Sequence, residues 1–246
     1  MMRSSRLALF AILFAARAGA VTITCYAEEY PPFNFIKDGK PAGMSTELLE
    51  ATCQEAHVDC QIKIVPWPRA FREAVKNPDT LVFSTARIPV RENSFVWLGP
   101  ISRNLKILLY VRRDSPLHSG TIEELEGSRI GVVNGDSAVD QLTRAGLEGV
   151  SWEPAPNVES NVLKLLGGHI DVLPAVNLVM TWTMQRLGQD AQQVRPLTTI
   201  TDSADLYFAL NPTGDMAAIE AMKAAWAKIS SGRLPDEIAA KYVKGL

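Results

Sequence analysis

Three short segments of the sequence contain residue types that bind small anions. They are Tyr30–Phe33 (YPPF), Pro66–Arg69 (PWPR) and Thr85–Arg91 (TARIPVR). Each directly follows a short apolar run that predicts a β-strand, at residues 21–26, 62–65 and 81–83. Ligand sites in open α/β sheets form at the carboxyl ends of strands. Because aromatic rings stack on solutes and guanidinium groups bind carboxylates with a planar fork, we expect these segments to hold a small anionic molecule.

The sequence contains no evident constellation for catalysis. The three histidines, His57, His118 and His169, are scattered, with no pair at metal-ligand spacing. Glycine-rich phosphate loops and nucleophile-elbow motifs are absent as well. We therefore expect a binding protein without a metal, a cofactor or a catalytic residue.

Residues 1–20 have the pattern of a signal peptide. Two arginines precede the apolar run 7–16, and Ala18–Ala20 supply the small residues of a cleavage site. The run is too short to span a bilayer, which needs about 20 apolar residues. No small-residue lipobox precedes Cys25. We expect a soluble, periplasmic chain that begins at Val21 and is neither lipidated nor inserted in the membrane.

The charge of the mature chain excludes some partners. The formal net charge is −2, and residues 1–20 contain three arginines and no acid, so their removal leaves 22 basic against 27 acidic residues and a net charge of −5. A mildly acidic exported chain without a Lys/Arg run argues against nucleic acid or an anionic membrane surface as partner.

The cysteines agree with export. Cys53 and Cys60 flank a short polar connection between a predicted helix and the following strand, and in an oxidising compartment we expect them to form a disulfide. The alternative is two buried thiols. Cys25 alternates with Val21 and Ile23 on one strand face and is expected to be a small buried hydrophobe.

Strand and helix patterns alternate along the chain. Residues 45–56 have apolar positions at helical spacing, Thr121–Glu124 form a capping box, and the strand at 129–133 runs into Asn134–Ser137 and a further helix. Such alternation predicts an α/β fold with mostly parallel sheets covered by helices.

Six motifs, in register, resemble those of the family 3 solute-binding proteins of ABC importers. Tyr30–Phe33 resembles the opening aromatic loop, and Arg87–Glu92 resembles the arginine loop R-T-P-E-R. The others are the first helix at Gly43–Leu49, the L-x-G-x-x-V-G-V pattern at Leu125–Val133, the G-x-x-D pattern at Gly168–Asp171 and the final helix at Arg233–Tyr242. The resemblance covers essentially the whole mature chain.

The resemblance implies a type II periplasmic binding protein fold. Two α/β lobes are joined by two crossing segments, and the ligand lies in the cleft between them. Residues 21–102 and 206–246 would form lobe 1, and residues 103–205 would form lobe 2. The partners implied are a small carboxylate-bearing solute, such as an amino acid, and a membrane ABC permease, with the protein itself a monomer.

The same resemblance assigns the site residues. Arg91 matches the arginine that binds the ligand carboxylate, and Tyr30 and Trp67 match the aromatic residues that sandwich the ligand. Ser84 and Ala86 match positions whose backbone groups meet the ligand. Gly135, Asp136 and Ser137 begin a helix whose free N–H groups favour an anion.

Each assignment has a structural alternative. Arg91 would otherwise be a surface arginine, Trp67 a core residue, and Asp136 with Ser137 a simple helix cap. Arg69 and Arg87 are further cations at the same rim, equally compatible with ligand contact and with a solvated side chain.

One position departs from the family pattern. Amino-acid binders of this family have an acidic residue shortly after the G-x-x-D strand, which holds the α-ammonium group of the ligand. Here the expected position is Val176. Asn177 and Glu28 are alternative partners for the ammonium group, although neither is in the matching register. The solute is therefore a carboxylate without an amine, or an amino acid held in another way.

Three functional classes remain open on the sequence. The first and favoured one is a transport receptor that closes on a solute and delivers it to a permease. The second is an enzyme on the same fold, resembling cyclohexadienyl dehydratases, which would need an acid in the cleft such as Glu28, Glu29 or Asp136. The third is a periplasmic input protein for a sensor or a dehydrogenase.

Overall fold

The computed structural model describes residues 21–201 and 204–244, so the predicted signal peptide lies outside the described residues. The strands are β1 (Thr22–Ala27), β2 (Phe35–Lys37), β3 (Lys40–Ala42), β4 (Asp59–Ile64), β5 (Thr80–Ala86), β6 (Val96–Ser102), β7 (Ile107–Arg112), β8 (Arg129–Val133), β9 (Ser151–Ala155), β10 (Leu173–Val176), β11 (Val194–Thr201) and β12 (Leu206–Leu210). The helices are α1 (Met44–Ala56), α2 (Trp67–Lys76), α3 (Ile122–Leu125), α4 (Ser137–Arg144), α5 (Val158–Leu166), α6 (Asn177–Arg186), α7 (Met216–Ser230) and α8 (Leu234–Val243).

The larger sheet forms the first lobe, with strand order β4-β1-β5-β12-β6. Strand β1 is parallel to β4 and β5, whereas β12 is antiparallel to both β5 and β6. The alternating buried residues Ile23, Cys25 and Ala27 of β1 belong to the same core as Leu49 of α1 and Met222 of α7. This alternation buries one face of the strand beneath the helices.

The second lobe contains an antiparallel sheet, β10-β7-β11, and a parallel pair, β8-β9. A parallel bridge from Ile130 to Val172 connects the two. Helices α5 and α6 contribute Val162 and Met180 to one core, and α4 contributes Leu142 to another. The predicted α/β architecture is confirmed, but the sheets are mixed rather than mostly parallel, because β12 and the whole β10-β7-β11 sheet pair antiparallel.

A disulfide joins Cys53 of α1 to Cys60 of β4, as the cysteine spacing predicted, and Cys25 is a free, buried thiol. The bond connects the helix directly to the edge strand that follows it. No helix among the described residues is both long enough and apolar enough to cross a bilayer.

The ends of β1 and β5 position the candidate site. The parallel register places Tyr26 opposite Val82, so the next residues, Glu28 and Ser84, reach the same edge of the sheet. The pairing of β5 with β12 shifts at this point, and Ser84 has a φ of 56°. Ser84 is thus the extra residue of a β-bulge, in a left-handed conformation that non-glycine residues rarely adopt.

Candidate functional site

A cavity lies between the two lobes, where the carboxyl ends of β1 and β5 face the start of α4. Its volume is about 70 Å³, counted as the space that the centre of a water molecule can reach. The lining residues are Glu28, Tyr30, Trp67, Ser84, Thr85, Ala86, Arg91, Ile107, Val133, Asp136, Ser137, Ala138, Val158, Pro174, Ala175, Val176, Val179, Ala204 and Leu206.

Arg91 supplies the guanidinium group that lines this cavity. It lies in the 3-10 turn Pro89–Ser94 after β5 and is 7% exposed. Its Nη1 donates to Thr85 Oγ1 at 3.1 Å and to the carbonyl oxygen of Ala86 at 3.3 Å. Burial lowers the pKa of Arg91, and the negative charges of Asp136 and Glu28 oppose this shift. A guanidinium group stays charged under these conditions.

The carbonyl oxygen of Gly135 joins the two lobes at the mouth of the cavity. It accepts from Trp67 Nε1 at 3.0 Å and from Arg91 Nη2 at 2.9 Å. The guanidinium carbon of Arg91 also lies 5.1 Å from the centre of the Trp67 ring. Gly135 has a φ of 77°, and a Cβ there would lie 3.4 Å from the indole. The glycine therefore permits a left-handed turn directly against the tryptophan.

Helix α4 begins at the opposite wall with its own acidic cap. Asp136 Oδ1 accepts from the backbone N–H of Ala138 at 2.9 Å. Burial raises the pKa of Asp136, while this hydrogen bond and the nearby Arg91 oppose the rise. Ser137 Oγ accepts from Gln141 Nε2 at 3.4 Å. The positive end of the helix therefore already faces one carboxyl group.

Glu28 is a second carboxyl group in the cavity, which the sequence named only as a candidate catalytic acid and as an out-of-register substitute for the missing acidic residue. It directly follows β1, and its Oε2 atom is buried without a hydrogen-bond partner among the described residues. Burial raises the pKa of Glu28 to about 8, the negative charge of Asp136 adds to the rise, and Arg91 opposes it. In the sequence, the only local indication that Glu28 belongs to the site is its position between the end of a strand and Tyr30.

Tyr30 and Ser84 complete the polar lining on the side of the first lobe. The Tyr30 ring stacks on Phe33 with centroids 5.6 Å apart. Burial raises the pKa of Tyr30, and Asp136 and Glu28 add to this, so the phenol keeps its proton. Ser84 Oγ is buried and, like Glu28 Oε2, has no hydrogen-bond partner among the described residues.

The sequence matches one family model along nearly its whole described length. The model is that of the bacterial extracellular solute-binding proteins, family 3, and it matches residues 22–245. The chain belongs to this family. The family resemblance seen in the sequence is thereby confirmed.

Solved structures resemble this family 3 protein at low sequence identity. A substrate-binding protein of an amino acid ABC transporter has 15% identity and a TM-score of 0.77, with 92% of this chain and 100% of that chain covered. A histidine kinase sensor domain with similarity to periplasmic binding proteins has 18% identity and a TM-score of 0.78, with coverage of 92% and 96%. A Salmonella typhimurium periplasmic binding protein with high arginine specificity has 16% identity and a TM-score of 0.76, with coverage of 91% and 99%.

These likenesses show the fold, which is the two-lobed type II periplasmic binding protein fold. No curated protein sequence matches this family 3 protein.

Two of the cations assigned from the sequence lie outside the cavity lining of this family 3 protein. Arg87 forms an ion pair with Glu92, in which Nε donates to Oε2 at 2.8 Å, and its guanidinium lies over the Trp97 ring. Arg69 is exposed on the first turn of α2, where its neighbour Trp67 is buried. The other residues assigned from the sequence line the cavity, apart from Gly135, which contacts Trp67 and Arg91 at its mouth.

The second lobe supplies an apolar wall. Pro174, Ala175 and Val176 of β10 line the cavity, so the position where the family resemblance implied an acid holds an isopropyl group. Asn177 is absent from the lining and accepts at 3.4 Å from the backbone N–H of Lys106. In the described part of the chain, no group of three or more His, Cys, Asp or Glu residues is arranged to hold a metal ion.

Proposed function

We propose that this protein is exported to the periplasm, captures a small carboxylate-bearing solute between its lobes and delivers it to a membrane ABC permease. The observation that supports this most directly is the cavity between the lobes, which is lined by polar groups from both of them. Arg91 comes from the first lobe, and Asp136 and Ser137 come from the second. The proposed solute is an amino acid or a related organic acid.

Arg91 is the proposed carboxylate anchor. Its Nη1 and Nη2 atoms donate to protein oxygens, whereas Nε forms no hydrogen bond within the described residues. A desolvated guanidinium group favours a carboxylate because each charge-assisted hydrogen bond is stronger than a neutral one. Trp67, which stacks against the guanidinium, limits its movement.

Capture by lobe closure is the proposed mechanism, with lobe 1 formed by residues 21–102 and 206–246 and lobe 2 by residues 103–205. Three kinds of contact between the lobes support it. Gly135 accepts hydrogen bonds from the first lobe, Phe35 packs on Trp182 with ring centroids 5.3 Å apart, and Arg186 lies 4.0 Å from Glu29. Solute would enter when these contacts open and would be enclosed when they reform.

A ligand screen with two readouts tests this proposal. Thermal shift over amino acids, dicarboxylates and aromatic acids should identify a stabilising solute, since saturation at 100 times the Kd adds about 2.7 kcal/mol. Small-angle scattering should then give a smaller radius of gyration with the solute than without it.

A matched pair of variants tests the cleft itself. Ser137→Trp should block binding because the indole would fill the cavity from the second lobe. Thr143→Trp, on the exposed side of the same helix, should bind normally. Tight binding by Ser137→Trp, without compaction of the wild type, would refute the two-lobed clamp.

An enzyme on the same fold is the second candidate, because Glu28 is a carboxyl with a pKa of about 8 inside the cavity. Such a group holds a proton at neutral pH and can act as a general acid. The test is recovery of the bound solute after prolonged incubation. Release of an unchanged molecule supports the binding protein, and conversion of the molecule supports the enzyme.

A sensory input role is the third candidate. The structural likeness to a histidine kinase sensor domain favours it. The cavity would serve either role, so the partner distinguishes them. Solute-dependent stimulation of a reconstituted permease supports transport.

A further inference from the structure

Two buried polar atoms of the cavity have no hydrogen-bond partner among the described residues. They are Glu28 Oε2 and Ser84 Oγ. Buried polar atoms are nearly always satisfied, and exceptions are often explained by a ligand or an ordered water. Both residues line the cavity, so both atoms are placed where a bound solute can meet them.

The sheet brings these two atoms to one side of the cavity. Strands β1 and β5 are parallel neighbours, and Glu28 and Ser84 follow the pair Tyr26–Val82 by the same two residues. The bulge removes Ser84 from the regular pairing of β5 with β12. Ser84 holds a φ of 56° there, a strained state of the kind that collects at ligand sites.

The cavity contains more acids than bases. Glu28 and Asp136 are its carboxyl groups, and Arg91 is its one cation among the described lining residues. A solute with only a carboxylate would bring a third acidic group beside these two, with no further positive charge to balance it. An ammonium group supplies three N–H donors and a positive charge.

We propose that Glu28 and Ser84 receive a primary ammonium group of the solute, and that Glu28 loses its proton to the solvent when the solute binds. This inference rests on the solute-binding function proposed above and narrows it to small amines with a carboxylate for Arg91. The solute ammonium keeps its N–H bonds, and the only bond broken is the O–H of the Glu28 carboxyl. Glu28 of the first lobe would then supply the negative charge that Val176, at the position where the family resemblance implied an acid, cannot supply.

The groups that face Glu28 set the pH range of this exchange. Asp136 from the start of α4, Arg91 from the turn after β5 and the phenol of Tyr30 surround it, whereas β10 contributes only apolar residues. With a pKa of about 8, Glu28 is mostly protonated at pH 7. Binding at pH 7 should therefore release close to one proton per solute, and binding at pH 9 should release almost none.

Matched pairs of solutes test the ammonium group. Thermal shift and calorimetry compare alanine with propionate and valine with 3-methylbutanoate, which differ only in the amine. We expect each amino acid to bind at least tenfold more tightly than its partner. Equal or tighter binding of propionate or 3-methylbutanoate would overturn the inference and leave the solute-binding function intact. The inference also fails if the tightest solute in the wider screen has no amine, whereas a screen without any bound solute refutes both proposals.

Proton release and one variant test the role of Glu28. Titration calorimetry of the tightest amino acid, in buffers of different ionisation enthalpy at pH 7 and pH 9, measures the protons released. Glu28→Gln should weaken amino-acid binding by roughly 30-fold or more and abolish the release, because the buried ammonium loses its counter-charge. Glu148→Gln, an equal change at an exposed position, should behave as the wild type. Tight binding by Glu28→Gln, or binding by the wild type without proton release at pH 7, would overturn the assignment.

Discussion

Replacing Glu28 by glutamine should change how the stability of the ligand-free protein depends on pH. The pKa of this carboxyl rises from 4.5 to about 8 in the folded chain, mainly because burial penalises its charged form. The folded state therefore holds a proton that the unfolded state has lost throughout the interval between these values. Stability should fall as pH rises through that interval and should be highest, for this group, below its lower end.

The size of the effect follows from the same values. Each rise of one pH unit between about 4.5 and 8 lowers the free energy of unfolding by up to about 1.4 kcal/mol, so the whole interval lowers it by at most about 5 kcal/mol. That is a large share of the roughly 5–15 kcal/mol that stabilises a typical domain. Glutamine has nearly the same shape and does not titrate. The variant should match the wild type near pH 5 and be several kcal/mol more stable at pH 8.5.

Urea unfolding of the ligand-free protein between pH 5 and pH 9 measures this difference. Glu148→Gln is the control, since it makes the same change at an exposed position and should follow the wild-type curve. Asp136 also has a raised pKa and stays in both proteins, so part of the slope remains in Glu28→Gln. Parallel curves for wild type and Glu28→Gln, or a variant less stable at pH 8.5, would refute the assignment of a protonated carboxyl at this site.

Three further substitutions or treatments have distinct expected outcomes. Arg91→Ala should reduce carboxylate affinity by roughly 30-fold or more with an unchanged circular dichroism spectrum. Arg91→Lys should also bind weakly, because an ammonium group cannot reproduce the planar fork of the guanidinium. Near-normal affinity in Arg91→Ala would exclude Arg91 as the carboxylate anchor. Mass spectrometry of unreduced protein should find Cys53 joined to Cys60. Reduction should lower the free energy of unfolding by about 2.5 kcal/mol, because the closed loop is short, and a larger loss would contradict the loop-entropy argument. Ser84→Gly should be up to about 1 kcal/mol more stable than Ser84→Ala in urea unfolding of the ligand-free protein, because both lose the unpaired hydroxyl and only glycine relieves the left-handed backbone. Both should weaken binding about tenfold by calorimetry.

The sequence alone predicted the features that depend on neighbouring residues. The Cys53–Cys60 pair and the helix start at Asp136 involve contacts within a few positions along the chain, and the strand that ends before Tyr30 was predicted from the alternation of its own residues. Local chemistry determines such features, since the same few residues form the element and its cap. Arg91 and Trp67 were identified for a related reason, because the motifs that contain them are short and contiguous.

Strand boundaries in the second lobe depended on pairing across the sheet. The apolar run at residues 170–173 overlaps the strand at one residue only, since β10 begins at Leu173 and continues to Val176. Strand β11 was not predicted at all, and it contains Pro196, which cannot donate to a ladder. Both strands pair with β7, whose backbone groups select which residues become extended.

The composition of the cavity was decided by tertiary structure. Glu28, Arg69 and Arg87 are all charged residues next to predicted strands, and nothing in their local sequence distinguishes a buried position from an exposed one. Folding places Arg69 on the outer side of α2 and Arg87 in an ion pair with Glu92, while Glu28 faces Asp136 across the cleft. Two carboxyl groups more than 100 positions apart are buried together only when the two lobes meet. The sequence therefore assigned Arg91 to the site and named Glu28 only as a possible acid, whereas the fold places both in the cavity lining.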